Sequence, residues 1–179
     1  MAKPKKWLSI GLGSIGLLVV AGGLGYCWWL QSLPTLDGEF NLAKLSSPAS
    51  VDTDSHGIPL ISANNRIDAA RTLGYVTARD RLFQMDLMRR KSAGRLAEIF
   101  GEMAIKSDLQ SRTYGFNSRA RQILSKQPAI HRQYLEAYAD GINSYLQQNP
   151  TLPFEFKVLS YQPEPWQAED CLLVVLRIS

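Results

Sequence analysis

The chain has 179 residues, 45% of them hydrophobic and 20% charged, proportions that exclude a disordered chain and fit one domain of ordinary size. Its formal charge of +4 does not point to nucleic acid: Lys3, Lys5 and Lys6 precede the first apolar run, and the rest carries 17 basic against 16 acidic side chains, a net of +1. Cys27 and Cys171, the two cysteines, sit in separate apolar runs, so no intrachain disulfide is expected.

Residues 1–6 form a short basic head. Trp7 to Leu30 follows, 24 residues without a charge, which as a helix would measure about 36 Å against a hydrocarbon core of about 30 Å. Trp7 stands at one end, Trp28 and Trp29 at the other, where indoles favour the interface. The run reads as a single transmembrane anchor with the lysines in the cytoplasm and the rest outside the inner membrane, periplasmic or extracellular. A cleavable signal is the competing reading, with Ala21-Gly22-Gly23 as its small-residue site, and would give a secreted product. Leu24-Gly25-Tyr26-Cys27 faintly matches a lipoprotein box, but bulky Tyr26 before the cysteine argues against processing there. Residues 31–50 are a linker, punctuated by Pro34, Asp37-Gly38 and Pro48.

Val51 to Ala63 predicts a hairpin or strand pair turning at His56-Gly57. Asp52, Asp54 and His56 would share one strand face, a spacing that suits a metal ion, but no fourth ligand is near and a polar turn is the better reading. Asp54-Ser55-His56 contains the residue types of a hydrolase triad. Neighbours along a strand point to opposite faces, so that relay cannot form.

Ile67 to Arg90 predicts a long helix, interrupted by nothing worse than Gly74. At 100° per residue, Asp68, Arg71, Thr72, Tyr75, Arg79, Asp86, Arg89 and Arg90 share one arc, expected to be the wet face. Arg89-Arg90-Lys91, the sole basic cluster, falls there beside Asp86, and no nucleic-acid partner is expected. Ile67, Ala70, Leu73, Val76, Leu82, Phe83, Met85, Leu87 and Met88 make an apolar arc. Asp80, Arg81 and Gln84 project into it, and are expected to be buried in a structural hydrogen-bonded network.

Ser92 to Phe100 reads as a second helical piece stopped by Gly101, and Ser118 to Lys126 as a short polar helix. Ala129 to Gln148 is a long helix whose Ile130, Tyr134, Tyr138, Ile142 and Tyr145 form a core stripe. Pro153, Pro163 and Pro165 mark an extended segment that delivers Trp166 as a packing anchor. The last apolar run, Cys171 to Ile178, has no stop signal and looks like a buried strand or helix.

These blocks carry a resemblance. Gly74 to Glu98 fits the pattern G-Y-x-x-A-x-D-R-L-F-Q-M-(D/E)-x-x-R-R-x-x-x-G-x-x-A-E, which includes Asp80, Arg81, Gln84, Arg89, Arg90, Gly94 and Glu98. Asp54, Gly57 and Pro59 fit a D-x-x-G-x-P strand upstream. Asp140, Gly141 and Asn143 fit a Y-A-D-G-(V/I/M)-N helix downstream, and Trp166 with Asp170 a W-x-x-x-D turn. Four blocks in order over about 120 residues resemble the N-terminal, small-subunit part of the penicillin acylase (penicillin amidase) family of N-terminal nucleophile hydrolases. Thr53 stands where arginine is usual before Asp54, and Leu60 where histidine often follows Pro59; neither position is catalytic in that family.

The resemblance implies a mixed α/β fold, mainly helical in this chain, as the front of an αββα N-terminal nucleophile hydrolase. Residues 51–179 would be a small-subunit region truncated at its C-terminus. It also implies a precursor that cleaves itself, the new N-terminal serine of the larger subunit attacking an amide with its own α-amino group as base. The substrate implied is a penicillin, an acyl-homoserine lactone or a similar N-acyl compound, and the partner is that missing larger subunit. No catalytic, cofactor or metal residue is assigned to this chain; a calcium ion is conceivable in the full-length protein. The alternative is a membrane-anchored, non-enzymatic helical scaffold complete in itself.

Overall fold

In the computed structural model residues 5–148 and 150–178 are described, with the side chains of residues 5–16 and Ile178 left aside. The chain divides into two compact units, Met1–Leu33 and Pro34–Ser179.

The first unit is helix α1, Lys5–Leu30, closed by a turn in which Ser32 Oγ donates to Trp29 O at 2.6 Å. The helical expectation for the first apolar run holds, but the membrane-spanning one finds no support. Among the described residues no helix is long and apolar enough to cross a membrane. The head at residues 1–4 and the side chain of Trp7 lie outside the described residues.

The second unit starts with the expected hairpin, β1 (Ser50–Thr53) against β2 (Pro59–Ser62), antiparallel with Val51 opposite Ile61 and Asp52 opposite Leu60. Its turn is set by Asp54, whose Oδ1 accepts from the backbone N–H of His56 and Ile58, both at 2.8 Å. Gly57 takes φ +79°, a left-handed conformation that costs glycine nothing.

Helix α2 runs over Arg66–Ala93. Asn65 caps it, accepting from Asp68 N at 2.8 Å, and Gly94 ends it in a left-handed cap at φ +70°. Arg81 departs from helical geometry (φ −141°, ψ 25°), so α2 is kinked in the middle of the family motif. The short α3 (Ala97–Phe100), a 3-10 turn at Gly101–Ala104, α4 (Ile105–Tyr114) and α5 (Phe116–Lys126) follow. Then come α6 (Ala129–Gln147), α7 (Phe154–Val158) and α8 (Ala168–Ile178).

Helices α2 and α6 form the main packing pair, and two glycines set their separation. A methyl group on Gly74 would lie 2.1 Å from Tyr138 O, and one on Gly141 1.9 Å from Arg71 O. No larger residue fits at either place. Around this crossing lies the core: Tyr75, Ala78, Leu82, Ala139, Ile142, Tyr145, Phe156 and Trp166. The stripe expected on α6 is therefore core at Ile142 and Tyr145, while Ile130 near its start is exposed. Helix α8 packs on α5 and the end of α2, with Leu173 against Ala120 and Ala93, so the last apolar run does find cover within the chain.

The expected faces of α2 are overturned. Asp68, Arg71, Thr72, Tyr75, Arg79, Asp86, Arg89 and Arg90, the arc expected to be wet, are all buried. Asp80, Arg81 and Gln84, expected to be buried, are exposed, and Leu73 of the apolar arc is 46% exposed. The reason is mutual pairing: a charged arc can enter a core when every charge meets its complement there, and small Gly74 and Ala78 let the partner helix approach. The described residues contain a single two-stranded sheet and none of the further layers of an αββα fold.

Candidate functional site

Two ion clusters hold the ends of α2. At its start, Asp68 (2% exposed) accepts from Ser46 N and Oγ, from Asn65 Nδ2, and from Arg71 Nη1 at 3.2 Å. The Ser46 hydroxyl contributes most to holding its carboxyl below the ordinary carboxylate range. Arg71 also faces Asp140 at 3.7 Å, and Lys44 reaches that carboxylate at 3.0 Å, so the linker, α2 and α6 meet here.

At the other end Asp86 lies between Arg89 and Arg90, one turn on along the same helix, with Arg90 Nε 2.8 Å from Oδ2. Arg89 Nη1 continues to Pro165 O (2.9 Å) and Asp170 (3.3 Å), while Arg90 Nη1 donates to Glu98 at 2.6 Å. Arg95 grips Glu164 at 2.6 and 2.9 Å, and that hydrogen bonding leads in bringing the Glu164 carboxyl down to about 2. The guanidinium of Arg89 covers the Trp166 ring at 4.9 Å, and that of Arg90 the Tyr161 ring at 5.1 Å. Asn143 fixes Trp166 from the other side, its Oδ1 accepting from Trp166 N and its Nδ2 donating to Trp166 O. Burial raises the Asp170 carboxyl, against a bond from Gln167 N and the nearby Arg89.

Most of the motif residues are thereby explained as the chain's own framework. Asp54 and Gly57 make the turn and Pro59 opens β2. Arg89, Arg90, Glu98, Asn143, Trp166 and Asp170 form the second cluster, and Asp140 joins the first. Gly94 is the cap and Gly141 the close approach. Sequence reasoning missed Asp68, Arg71 and Asp86 as buried pairs, although acids followed at i+3 and i+4 by arginines were visible. Gly74 as a packing residue, Asp108 and Glu164 were also missed. Asp108 accepts from Leu96 N and Ala97 N and so caps α3 from a distance.

The three remaining motif residues stand apart. Asp80, Arg81 and Gln84 line an open cleft of about 610 Å³ together with Leu73, Phe83, the hairpin residues Thr53, Gly57 and Pro59, and Glu155. Asp80 meets Arg79 at 2.8 Å and Arg81 meets Gln84 at 3.3 Å, in place of the buried network expected of them. The kink at Arg81 presents them as a polar strip over an apolar floor.

Ser55 Oγ and His56 Nδ1 are 3.4 Å apart and Asp54 Oδ2 lies 3.9 Å from that ring, but all three are exposed in a turn, with nothing to exclude water or bind an oxyanion. Burial pushes the Cys171 thiol up to about 11, which keeps it protonated. Among the described residues no group of three His, Cys, Asp or Glu side chains could hold a metal ion. A calcium ion needs six to eight oxygens, and the buried acids here are already matched, Asp68 and Asp86 by arginines and Asp108 by the backbone amides of Leu96 and Ala97. These residues do not fit one.

A family model for penicillin amidase matches residues 48–179. The chain belongs to the penicillin amidase family. It is 40% identical to a penicillin acylase 2 proenzyme from a Pseudomonas species, over 82% of this chain and 19% of that protein. An acyl-homoserine lactone acylase of Pseudomonas putida is 37% identical over 91% of this chain and 20% of its own length. Among solved structures, a thermostable penicillin G acylase from Alcaligenes faecalis aligns with a TM-score of 0.66 and 30% identity, covering 72% of this chain and 70% of that one. The chain thus spans about a fifth of the curated relatives it matches, yet most of the solved chain.

Proposed function

We propose that this chain is the small-subunit region of an acylase-type amidohydrolase precursor, and that the uncovered face of α2 seats the larger, catalytic part. One observation carries the reading. Helix α2 buries its charged arc within the chain and leaves Leu73, Asp80, Arg81 and Gln84 open in a cleft, so the outward residues of the family motif have no sufficient role inside it. Full-length relatives more than four times as long support the existence of such a part, and one of them is called a proenzyme.

In this reading the precursor cleaves itself, and the new N-terminal serine of the larger part attacks the amide of an N-acyl compound. Its α-amino group, titrating near ~8, takes the proton. The substrate class is a penicillin, an acyl-homoserine lactone or a related amide, the molecules named in the relatives. The further layers of the αββα core belong to the larger part, and this chain contributes framework rather than reacting groups. Residues 7–30 act as the export element, anchor or signal, for a periplasmic enzyme. A reporter fused after Ser50 should be active outside the inner membrane; activity only in the cytoplasm would end that assignment.

The test is expression of the full-length gene beside the 179-residue chain, with release of amine from a set of N-acyl substrates as the readout. The full-length protein should split into two chains and hydrolyse at least one class, and the short chain should hydrolyse none. Arg81→Ala and Gln84→Ala, which break only an exposed contact, should change the stability of the chain's own fold by no more than about 1 kcal/mol, yet reduce maturation. Turnover by the short chain, or normal maturation of both variants, would refute the reading.

A further inference from the structure

Charge is unevenly spread along this chain, and we propose that its basic side, formed by α4, α5 and the start of α6, rests on an anionic phospholipid surface.

Residues 109–135 contain Arg112, Arg119, Arg121, Lys126 and Arg132 and no acid at all. Of the 17 basic side chains beyond the head five lie here, which leaves 12 against all 16 acids elsewhere. The near-neutral total therefore conceals a polarised molecule. All five bases are exposed. Arg112 Nε donates to Gly94 O at 2.8 Å, and Arg121, its side chain 73% exposed, lies 3.8 Å from Glu169. Among the described residues Arg119, Lys126 and Arg132 pair with no carboxylate, in contrast to the buried arginines of α2.

Both helices are held at the C-terminal end of α2, which decides the sides they leave free. Arg112 ties α4 to Gly94, Arg177 of α8 donates to Ser111 Oγ at 2.9 Å, and α5 lays Ala120 against Ala93 and Leu173. On α4 the free side is apolar. Ile105 and Leu109, one turn apart, are 47% and 61% exposed, Met103 just before them is 87% exposed, and Tyr114 at the end is 50% exposed. On α5 the exposed Arg119, Gln122 and Lys126 follow at three- and four-residue steps and so share a side. Ile130 and Arg132 continue this composition into the first turn of α6, both exposed.

Single exposed apolar side chains are ordinary, but here they stand among cations with no anion between them. A lipid interface matches both parts. Apolar side chains and the tyrosine ring enter the headgroup layer, and arginine and lysine stems lie over it while their charges meet lipid phosphates. A nucleic acid would use the cations and leave Met103 and Leu109 in water. The larger part is assigned above to the cleft along the middle of α2, to which no residue from 101 to 135 contributes. Residues 7–30, proposed as the export element, bring the chain to a bilayer.

The experiment is co-sedimentation of the full-length protein with phosphatidylcholine vesicles, with and without phosphatidylglycerol. Insertion of residues 7–30 and the pull of the head lysines are common to every variant, so the comparison isolates this face. Each cation lost should weaken binding to the anionic vesicles about fivefold, and the triple variant Arg119→Glu, Lys126→Glu, Arg132→Glu about a hundredfold or more. Raising salt from about 0.1 M to 1 M, which shortens the screening length from about 10 Å to 3 Å, should erase most of that difference. Leu109→Ser should weaken binding several-fold at either salt. Arg66→Glu, an exposed change at the other end of α2, should leave it unchanged.

Equal binding by wild type and triple variant would overturn the inference, as would absence of binding to anionic vesicles. Capture of the wild type but not the triple variant by duplex DNA, without vesicle binding, would overturn it in favour of a nucleic acid. Failure of the triple variant to mature would overturn it in favour of the larger part as the cover. Hydrolysis of a soluble N-acyl substrate is a separate readout, expected to be equal in wild type and triple variant, so the inference and the proposed function fail independently.

Discussion

Replacing Gly141 by alanine isolates the contact on which the α2–α6 core depends. The added methyl would sit 1.9 Å from Arg71 O and 2.9 Å from Tyr75 N, both backbone atoms of the facing helix. Ordinary contact needs about 3.4 Å or more, so the helices must part by roughly 1.5 Å, opening space around Tyr75, Ile142 and Tyr145. Overpacking of this kind costs about 1–3 kcal/mol, and more where a backbone cannot give way. Helix propensity acts in the opposite direction, alanine being favoured over glycine by about 1 kcal/mol. The net expectation is destabilisation of about 2 kcal/mol, seen as a lower urea midpoint at unchanged slope in the protein that carries its full sequence. Gly74→Ala, at the same crossing, should behave alike, and the double variant should cost clearly less than the sum, because the first methyl has already parted the helices. Stabilisation by either variant, or strict additivity of the two, would refute the reasoning.

Asp86→Ala removes the shared partner of two buried arginines and should destabilise by about 3 kcal/mol or more, measured by the same midpoint, with Asp86→Asn intermediate. Glu164 gives a pH signature. Its carboxyl is held at about 2, led by the Arg95 hydrogen bonds, below an ordinary value of 4.5. The stability it contributes is therefore present above about pH 4.5 and is lost as pH falls toward 2, and Glu164→Gln should flatten that limb of the stability–pH curve. Asp170 has the opposite sign, its carboxyl being raised by burial, so Asp170→Asn should steepen the acid loss.

What was legible in the sequence is what local chemistry decides. The turn at His56-Gly57 and the span of α6 follow from residues within a few positions of each other, whereas the helical piece expected over Ser92 to Phe100 is broken at Gly94, which ends α2 and leaves α3 only Ala97–Phe100. The faces of α2 were not legible, because a helical wheel sorts residues by polarity while burial depends on partners far along the chain. Ser46 and Lys44 come from the linker, Asp140 from α6, and Glu164 and Asp170 from the segment around Trp166. Helix α4 was missed for the same reason: it buries Asp108 and Ser111 and exposes Ile105 and Leu109, the reverse of an amphipathic pattern. Helix α7 was hidden among prolines, yet it delivers Phe156 to the core.

The inversion in α2 bears on how the motif should be read. A burial of this many charges contributes little to stability against an apolar core of the same shape, since desolvation offsets most of the Coulomb attraction. What it does provide is direction: Asp86 with Arg89 and Arg90 can be satisfied by one placement of Glu98, Pro165 and Asp170, and a shifted helix would leave charges unpaired. The same helix then presents Asp80, Arg81 and Gln84 at a fixed angle through the kink at Arg81. The inward charges therefore hold the outward strip in register, so a fault at Asp86 should reach the cleft that Asp80 lines without either residue touching the other.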